Sequence, residues 1–557
     1  MKLSLALLLC LLSPLTFAGE WLTAAKSTPA LTAQLAAYAQ ETVQAVLAGR
    51  SPVMPVELAP VVADAGNGVE ITLVRDGKIV AQGNAREKNG LLGNLRLAAG
   101  RALYGFRVEN IEQCSLWLTL FDEGQISPTP PLVFTPELGT QGWQIERAER
   151  RFFCGAVAAL AQQWSWREIL DALLTEVTPA ARLDFLAAAR LRVYHADTLV
   201  MPPDAAPFWL NQPAPAVTAE NLAAARTALK QWWQTNQTAD GFYLTDGKVD
   251  FVANANAAAA LGGFWRAERD EALRACGLKL LAALWRNYYL EAPGTDYGYL
   301  RGGAYPTGDD LLATTLAWWG LILFDATADE HYQPLRRFLA QQNAPAPVNL
   351  WQFATTAEKN VWRCLLTIAL MADAPREFSG AAVQNLADLP PATGLPPATG
   401  LPPATGLPPA TGLPTVGGAV DENPWRIMAG LAVYQTTRQK RWLNDALALA
   451  AKMLDAPPSA TIAGLSANLL SAGQAGRVLE ILGVAANFRR AAELKKWGRD
   501  NLRALLSLQA VPSSWRGLLR PDAAARGGFT ASPAALAVNL ANTLAATFAL
   551  NQLTIDN

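Results

Sequence analysis

The chain has 557 residues, with 46 Lys and Arg against 47 Asp and Glu and a formal net charge of −1. That length exceeds one ordinary core, so two or more domains are expected, and 51% hydrophobic against 17% charged residues argues against global disorder. The balanced charge offers no electrostatic footprint for nucleic acid or an anionic membrane surface, and only two histidines exclude a multi-histidine metal site.

In chain order, residues 1–18 combine Lys2, an apolar run from Leu3 to Leu12 and a small residue, Ala18, at a cleavage position. This is the build of a secretory signal peptide, and Cys10 lacks the small residues that precede a lipoprotein cysteine. No later stretch reaches ~18 uninterrupted apolar residues, so no membrane span is expected. The mature protein is expected to be periplasmic or secreted. Cys114, Cys154, Cys276 and Cys364 are too widely spaced for a local zinc motif or a disulfide framework. Pairing of Cys114 with Cys154 and of Cys276 with Cys364 stands open against four buried thiols.

Between residues 139 and 195 the chain reads as a strand at Trp143–Arg147, a helix over Phe153–Gln162 and a Gln-Trp-Ser-Trp corner. A second amphipathic helix, Arg167–Glu176, and a short apolar strand, Leu191–Tyr194, follow. This order and spacing resemble the C-terminal half of the AMMECR domain family, a small α+β domain. Gly68–Leu73 with Gly77–Val80 resemble that family's opening hairpin, Leu95–Gly105 its Ala-rich helix and Ile111–Glu123 the strand after it. The resemblance implies an AMMECR-like α+β domain over 19–199. The family's Leu-Arg-Gly-Cys-Ile-Gly hairpin falls near residues 80–93, where this chain reads VAQGNAREKNGLLG and has no cysteine. Activity attached to that motif therefore does not carry over.

Residues 200–217, rich in proline and without periodicity, read as an interdomain linker. From Thr218 onward about a dozen helical runs follow one another, with apolar residues recurring at three and four, as in Leu222, Ala225, Leu229 and Trp232. Some helices are packed with Ala and Gly, as in Val252–Gly263, and others carry one charged face, as in Arg266–Arg286. Small residues let helix axes approach closely, which suits an inner ring inside an outer one. The pattern resembles the α/α toroids of many carbohydrate-active enzymes and of terpenoid cyclases, and implies an all-α toroid over 218–557. The cyclases' Asp-x-Asp-Asp motif is absent. Leu389–Pro414 is four tandem Leu-Pro-Pro-Ala-Thr-Gly copies, a low-complexity composition expected to form an extended loop within the toroid.

The densest chemistry lies at Asp296–Asp310, DYGYLRGGAYPTGDD, just before a helix. Asp309 and Asp310 are candidate catalytic carboxylates, since a helix N-terminus favours the ionised form. Tyr297, Arg301, Tyr305, Tyr243 and Asp240 are candidate substrate-binding residues, tyrosines to stack on sugar rings and polar groups to position them. The competing reading is that Thr307 and Asp310 merely cap the helix. Asp240, Asp250, Asp421 and Glu422 are candidates for a second carboxylate. Asn254 and Asn256 either bond inside the core or line a cavity. No metal and no cofactor is implied. Two functions stay open: an exported toroid that binds and processes a glycan, or a non-catalytic periplasmic module that binds a glycan, a peptide or a partner protein.

Overall fold

The computed structural model describes residues 28–53, 68–86, 90–104, 111–210, 217–341, 356–389, 415–454, 491–511, 514–530 and 535–551, with Leu350 and Leu469 singly and short breaks inside these ranges. The expected signal peptide, the repeat tract beyond Leu389, and Asp421 and Glu422 lie outside the described residues.

The chain forms two compact units. The first comprises Met1–Pro213, Val511–Pro521 and Ala534–Leu536, and the second Ala214–Ala510, Asp522–Pro533 and Ala537–Asn557. The division is not one cut at a linker. The sequence reading placed everything after residue 217 in the second domain, yet a short segment returns to the first unit. The cause is apolar burial: Trp515 and Leu519 are buried among Val74, Trp117 and Val200. The expected linker also contributes structure, since Trp209 is buried and its Nε1 donates to Thr32 Oγ1 at 3.1 Å.

In the first unit a curled antiparallel sheet runs in the order β2-β1-β3-β7-β5-β6, with β4 and β8 also paired to β7. Its strands are β1 (Gly68–Arg75), β2 (Lys78–Ala85), β3 (Ser115–Phe121), β4 (Gln125–Ser127), β5 (Gln141–Arg147), β6 (Arg150–Cys154), β7 (Arg190–Met201) and β8 (Phe208–Trp209). Asp76 and Gly77, both at positive φ, make the two-residue turn between β1 and β2. An Asp-Gly pair supplies that backbone with little strain. The long strand β7 joins the two halves, pairing with β3 through Ala196–Met201 and with β5 through Arg190–His195.

Alternation gives this sheet two unlike faces. Val69, Ile71, Leu116, Leu118 and Leu199 pack beneath two helices, α1 (Pro29–Leu47) and α2 (Gly90–Leu103). The opposite face carries Glu70, Thr72, Thr119 and Thr198, all buried, with Thr119 and Thr198 hydrogen bonded at 3.0 Å. A short helix, α3 (Ala156–Gln162), packs on this second face through Ala156, Val157 and Leu160. Helix α4 (Trp166–Leu173) starts at a capping box, Ser165 N donating to Glu168 Oε2 at 2.7 Å. A short helix α5 (Arg182–Ala187) precedes β7.

The second unit is helical: α6 (Ala219–Thr235), α7 (Phe251–Glu268), α8 (Glu271–Tyr288), α9 (Gly308–Leu323), α10 (Tyr332–Ala340), α11 (Thr356–Asp373), α12 (Pro375–Ala387), α13 (Asn423–Thr437), α14 (Lys440–Leu454) and α15 (Ala491–Leu506). The five-residue α16 (Trp515–Leu519) belongs to the first unit, and α17 (Leu540–Asn551) closes the helical series of the second. Alternate helices are neighbours: α17 packs on α7, α7 on α9, α9 on α11 and α11 on α13. Helices α7 and α9 are buried along nearly their whole length, since their charges are confined to the last turn of α7 and the first turn of α9. Short hairpins interrupt the helices, β9–β10 (Leu244–Thr245, Lys248–Val249), β11–β12 (Tyr289–Glu291, Gly298–Leu300) and β13–β14 (Thr415–Val416, Ala419–Val420). No helix among the described residues is long and apolar enough to cross a membrane.

Candidate functional site

The tip singled out in the sequence leaves β12 and enters α9 in seven residues. Arg301 N donates to Tyr288 O at 2.9 Å, fixing the tip's first residue to the end of α8. Asp310 fixes the rest. Its carboxylate is 1% exposed, one oxygen accepting from Gly302 N and the other from Thr307 N, each at 2.8 Å. Burial raises its pKa, while those two amides and the nearby Arg301 act in the opposite direction. Thr314, one turn on, donates to Asp310 O at 2.6 Å and accepts from Leu300 N at 3.0 Å. One side chain thus bridges both ends of the Gly302–Pro306 excursion. Tyr305, at its apex, is 82% exposed and stands off from the core.

The other sequence candidates fall in different surroundings. Asp309 is half-buried on the first turn of α9. Tyr297 accepts at its hydroxyl from Gln341 Nε2 at 2.5 Å. Asp296 is exposed and pairs with Arg337. Tyr243 is buried rather than offered to a ligand, its hydroxyl donating to Trp233 O at 2.9 Å and its ring stacked near Trp232. Asp240 is exposed on the adjoining turn. Asn254 resolves to the core: it accepts from Tyr243 N at 2.8 Å and donates to Tyr243 O and Asp250 O. Asp250 caps α7, accepting from Ala253 N at 2.9 Å. Gly302 lies against the Phe251 ring, so the tip rests at the N-terminal end of α7 as well as of α9.

The structure brings together a second set of groups that the sequence reading did not pick out, on the polar face of the first unit's sheet. Glu70 of β1 is 1% exposed, and neither carboxylate oxygen has a hydrogen-bond partner among the described residues. Burial drives its pKa up to about 7, with Gln82, Arg86 and Thr72 pulling the other way. Arg86, just past β2, lays its guanidinium over three rings, with Cζ 3.5 Å from the Tyr194 centroid, 4.1 Å from Phe153 and 4.7 Å from Phe121. Its Nη1 donates to Gln144 Oε1 at 3.3 Å, an oxygen that also accepts from Tyr194 Oη at 3.0 Å. Its Nε and Nη2 have no hydrogen-bond acceptor in range among the described residues. Two glycines make the room: a Cβ at Gly155 would lie 2.0 Å from Glu70 Oε2, and one at Gly68 2.7 Å from Arg86 Cγ. The available signal was Glu70 itself, a carboxylate in the middle of an apolar strand.

All four described cysteines are free thiols, and burial pushes that of Cys154 up to about 12, with Glu70 adding to the effect. His195 Nε2 lies 3.6 Å from Asp197, and His331 stacks on Trp285 with ring centroids 4.9 Å apart. Among the described residues no group of three His, Cys, Asp or Glu is placed to hold a metal ion.

No protein-family model matches the chain, and no curated protein does. Among solved structures, an uncharacterised protein from Pyrococcus horikoshii is similar over 32% of this chain and 94% of its own, at 14% identity and a TM-score of 0.25.

Proposed function

We propose that this is an exported, two-unit binding protein whose helical unit, an α/α toroid, takes a glycan at the Gly302–Tyr305 tip without using Asp310 to cleave it. The observation that carries this is the pairing of a buried tether with an exposed ring. A carboxylate that is 1% exposed and accepts two backbone amides cannot approach a glycosidic oxygen, so its chemistry is spent on holding the loop. A loop so held presents Tyr305 with little ordering left to lose on binding, and a phenol combines an apolar face for a sugar ring with a polar end. Arg301, half-buried at the base, supplies a donor for hydroxyl or carboxylate groups. The run of neighbours α17, α7, α9, α11 and α13 is consistent with the inner layer of the proposed toroid.

The test is titration calorimetry against a panel of soluble oligosaccharides, followed by product analysis of each retained one. Tyr305→Ala should weaken binding by about tenfold or more, the usual effect of truncating a central aromatic contact, without lowering the melting temperature. The bound sugar should be recovered intact. Turnover lost on Asp310→Asn in a variant that still folds would instead favour the processing reading.

A further inference from the structure

Apart from the helical unit's tip, the first unit holds a buried guanidinium edge on the polar face of its sheet. An arginine binds a carboxylate or phosphate best through two parallel N–H donors, and Nε with Nη2 forms one such edge. In Arg86 that edge has no acceptor among the described residues, while Nη1 at the other end is anchored on Gln144. The three aromatic rings hold the guanidinium plane, so the fork cannot swing to seek a partner elsewhere. Buried donors without acceptors are costly, on the order of 1–3 kcal/mol each, and rare enough in folded proteins to call for an occupant. The natural internal occupant, Glu70, lies close enough to interact electrostatically but makes no hydrogen bond to it.

We propose that the Nε–Nη2 edge of Arg86 is the binding site for an oxyanion with at least two oxygens, a carboxylate or a phosphate, and that Glu70 is the internal group competing with it. Arg192 flanks the same ring on which Arg86 rests, its Cζ 6.0 Å from the Tyr194 centroid. Arg192 is paired at 3.9 Å with Glu146, which also accepts from Gln144. The charged and titratable groups facing the site are therefore Glu70 from β1, Arg86 beyond β2, Glu146 from β5, Cys154 at the end of β6, and Arg192 and Tyr194 from β7. Among these Glu70 is the one that changes charge near neutrality. Protonated, it leaves the fork to the incoming anion; ionised, it repels that anion and competes for the same donors.

The experiment titrates the full-length protein with acetate and, separately, with inorganic phosphate, by calorimetry at about pH 5.5 and about pH 8.5, either side of the Glu70 transition. One or both probes should bind, and at least about tenfold more tightly at the lower pH for acetate, which is mostly ionised at both. Glu70→Gln should remove the pH dependence while retaining binding. Arg86→Lys, which keeps the charge and loses the fork, should abolish it in protein with an unchanged near-ultraviolet dichroism spectrum. Acetate binding alone would assign a carboxylate ligand, and phosphate alone a phosphorylated one. Binding of neither probe at the lower pH would overturn the proposal, as would binding that persists in Arg86→Lys. Should Arg86→Lys fail to fold, the Glu70→Gln titrations decide: a pH dependence undiminished in that variant would equally overturn it.

Discussion

Two buried carboxylates, Asp310 and Glu70, show how differently the same chemical group is treated in this chain. Asp310 is satisfied by two amides, which makes its replacement by Asn less conservative than the sequence suggests. Asn brings one acceptor oxygen where two are needed, and its NH2 would face a backbone N–H. Asp310→Asn should therefore destabilise the second unit by about 1–3 kcal/mol, measurable by urea denaturation. A loss within experimental error would show that water replaces one of the two amide contacts. Glu70, by contrast, is held by no backbone amide among the described residues, and its pKa is raised from 4.5 to about 7. The folded state therefore holds the proton more tightly than the unfolded state does. Its contribution is most favourable below about pH 4.5 and is lost as pH rises through about 7. Glu70→Gln should remove that dependence and raise stability at alkaline pH by on the order of 3 kcal/mol, with little change in acid. Equal effects at both ends would mean that Glu70 ionises freely. These residues also mark the limit of reading from sequence. Asp310 stood out by its neighbours Thr307, Gly308 and Asp309, whereas Glu70 sits alone in GVEITL and gains Gln82, Arg86 and Gly155 as neighbours only through the fold.

At the scale of elements, local signals were legible and distant ones were not. The helix periods of the second unit gave Ala219–Thr235, Phe251–Glu268 and Gly308–Leu323 to within a few residues, because burial on one or all faces is written in three-and-four spacing. The Asp76-Gly77 turn and the Ser165 cap are equally local. Strand β6 was missed: Arg150–Cys154 borders the helix at Ala156, and Phe153 and Cys154 were read as helical where pairing with Trp143 and Gln144 makes them strand. The C-terminal half of β7 was missed as well, since His195, Asp197 and Thr198 break its apolar pattern. Helix α16 was invisible for another reason. Five residues carry no period, and their burial depends on a sheet more than three hundred positions earlier. That segment predicts its own test. Trp515→Ala should destabilise the first unit by about 3–5 kcal/mol, as for other large buried aromatics, seen as a lowered melting transition. An unshifted transition would mean that the segment docks without contributing to stability.

At the scale of the molecule, the chain combines a mixed α and β unit holding a buried polar sheet face with a helical unit presenting a pinned aromatic tip. The first unit is completed by residues lying beyond position 510, so its fold depends on chain synthesised after most of the second. Truncation before Val511 should therefore leave the first unit incomplete, with Trp117 and Val74 deprived of Trp515 and Leu519, and proteolysis of such a fragment would report it. The central functional claim rests on the helical unit. The measurement that tests it most directly is hydrogen–deuterium exchange of the whole protein with and without a glycan retained in the oligosaccharide panel. The account predicts added protection confined to residues 297–307, with Tyr305 at its centre, and none of it in Tyr305→Ala. Protection elsewhere, with the Gly302–Tyr305 amides exchanging unchanged, would contradict it.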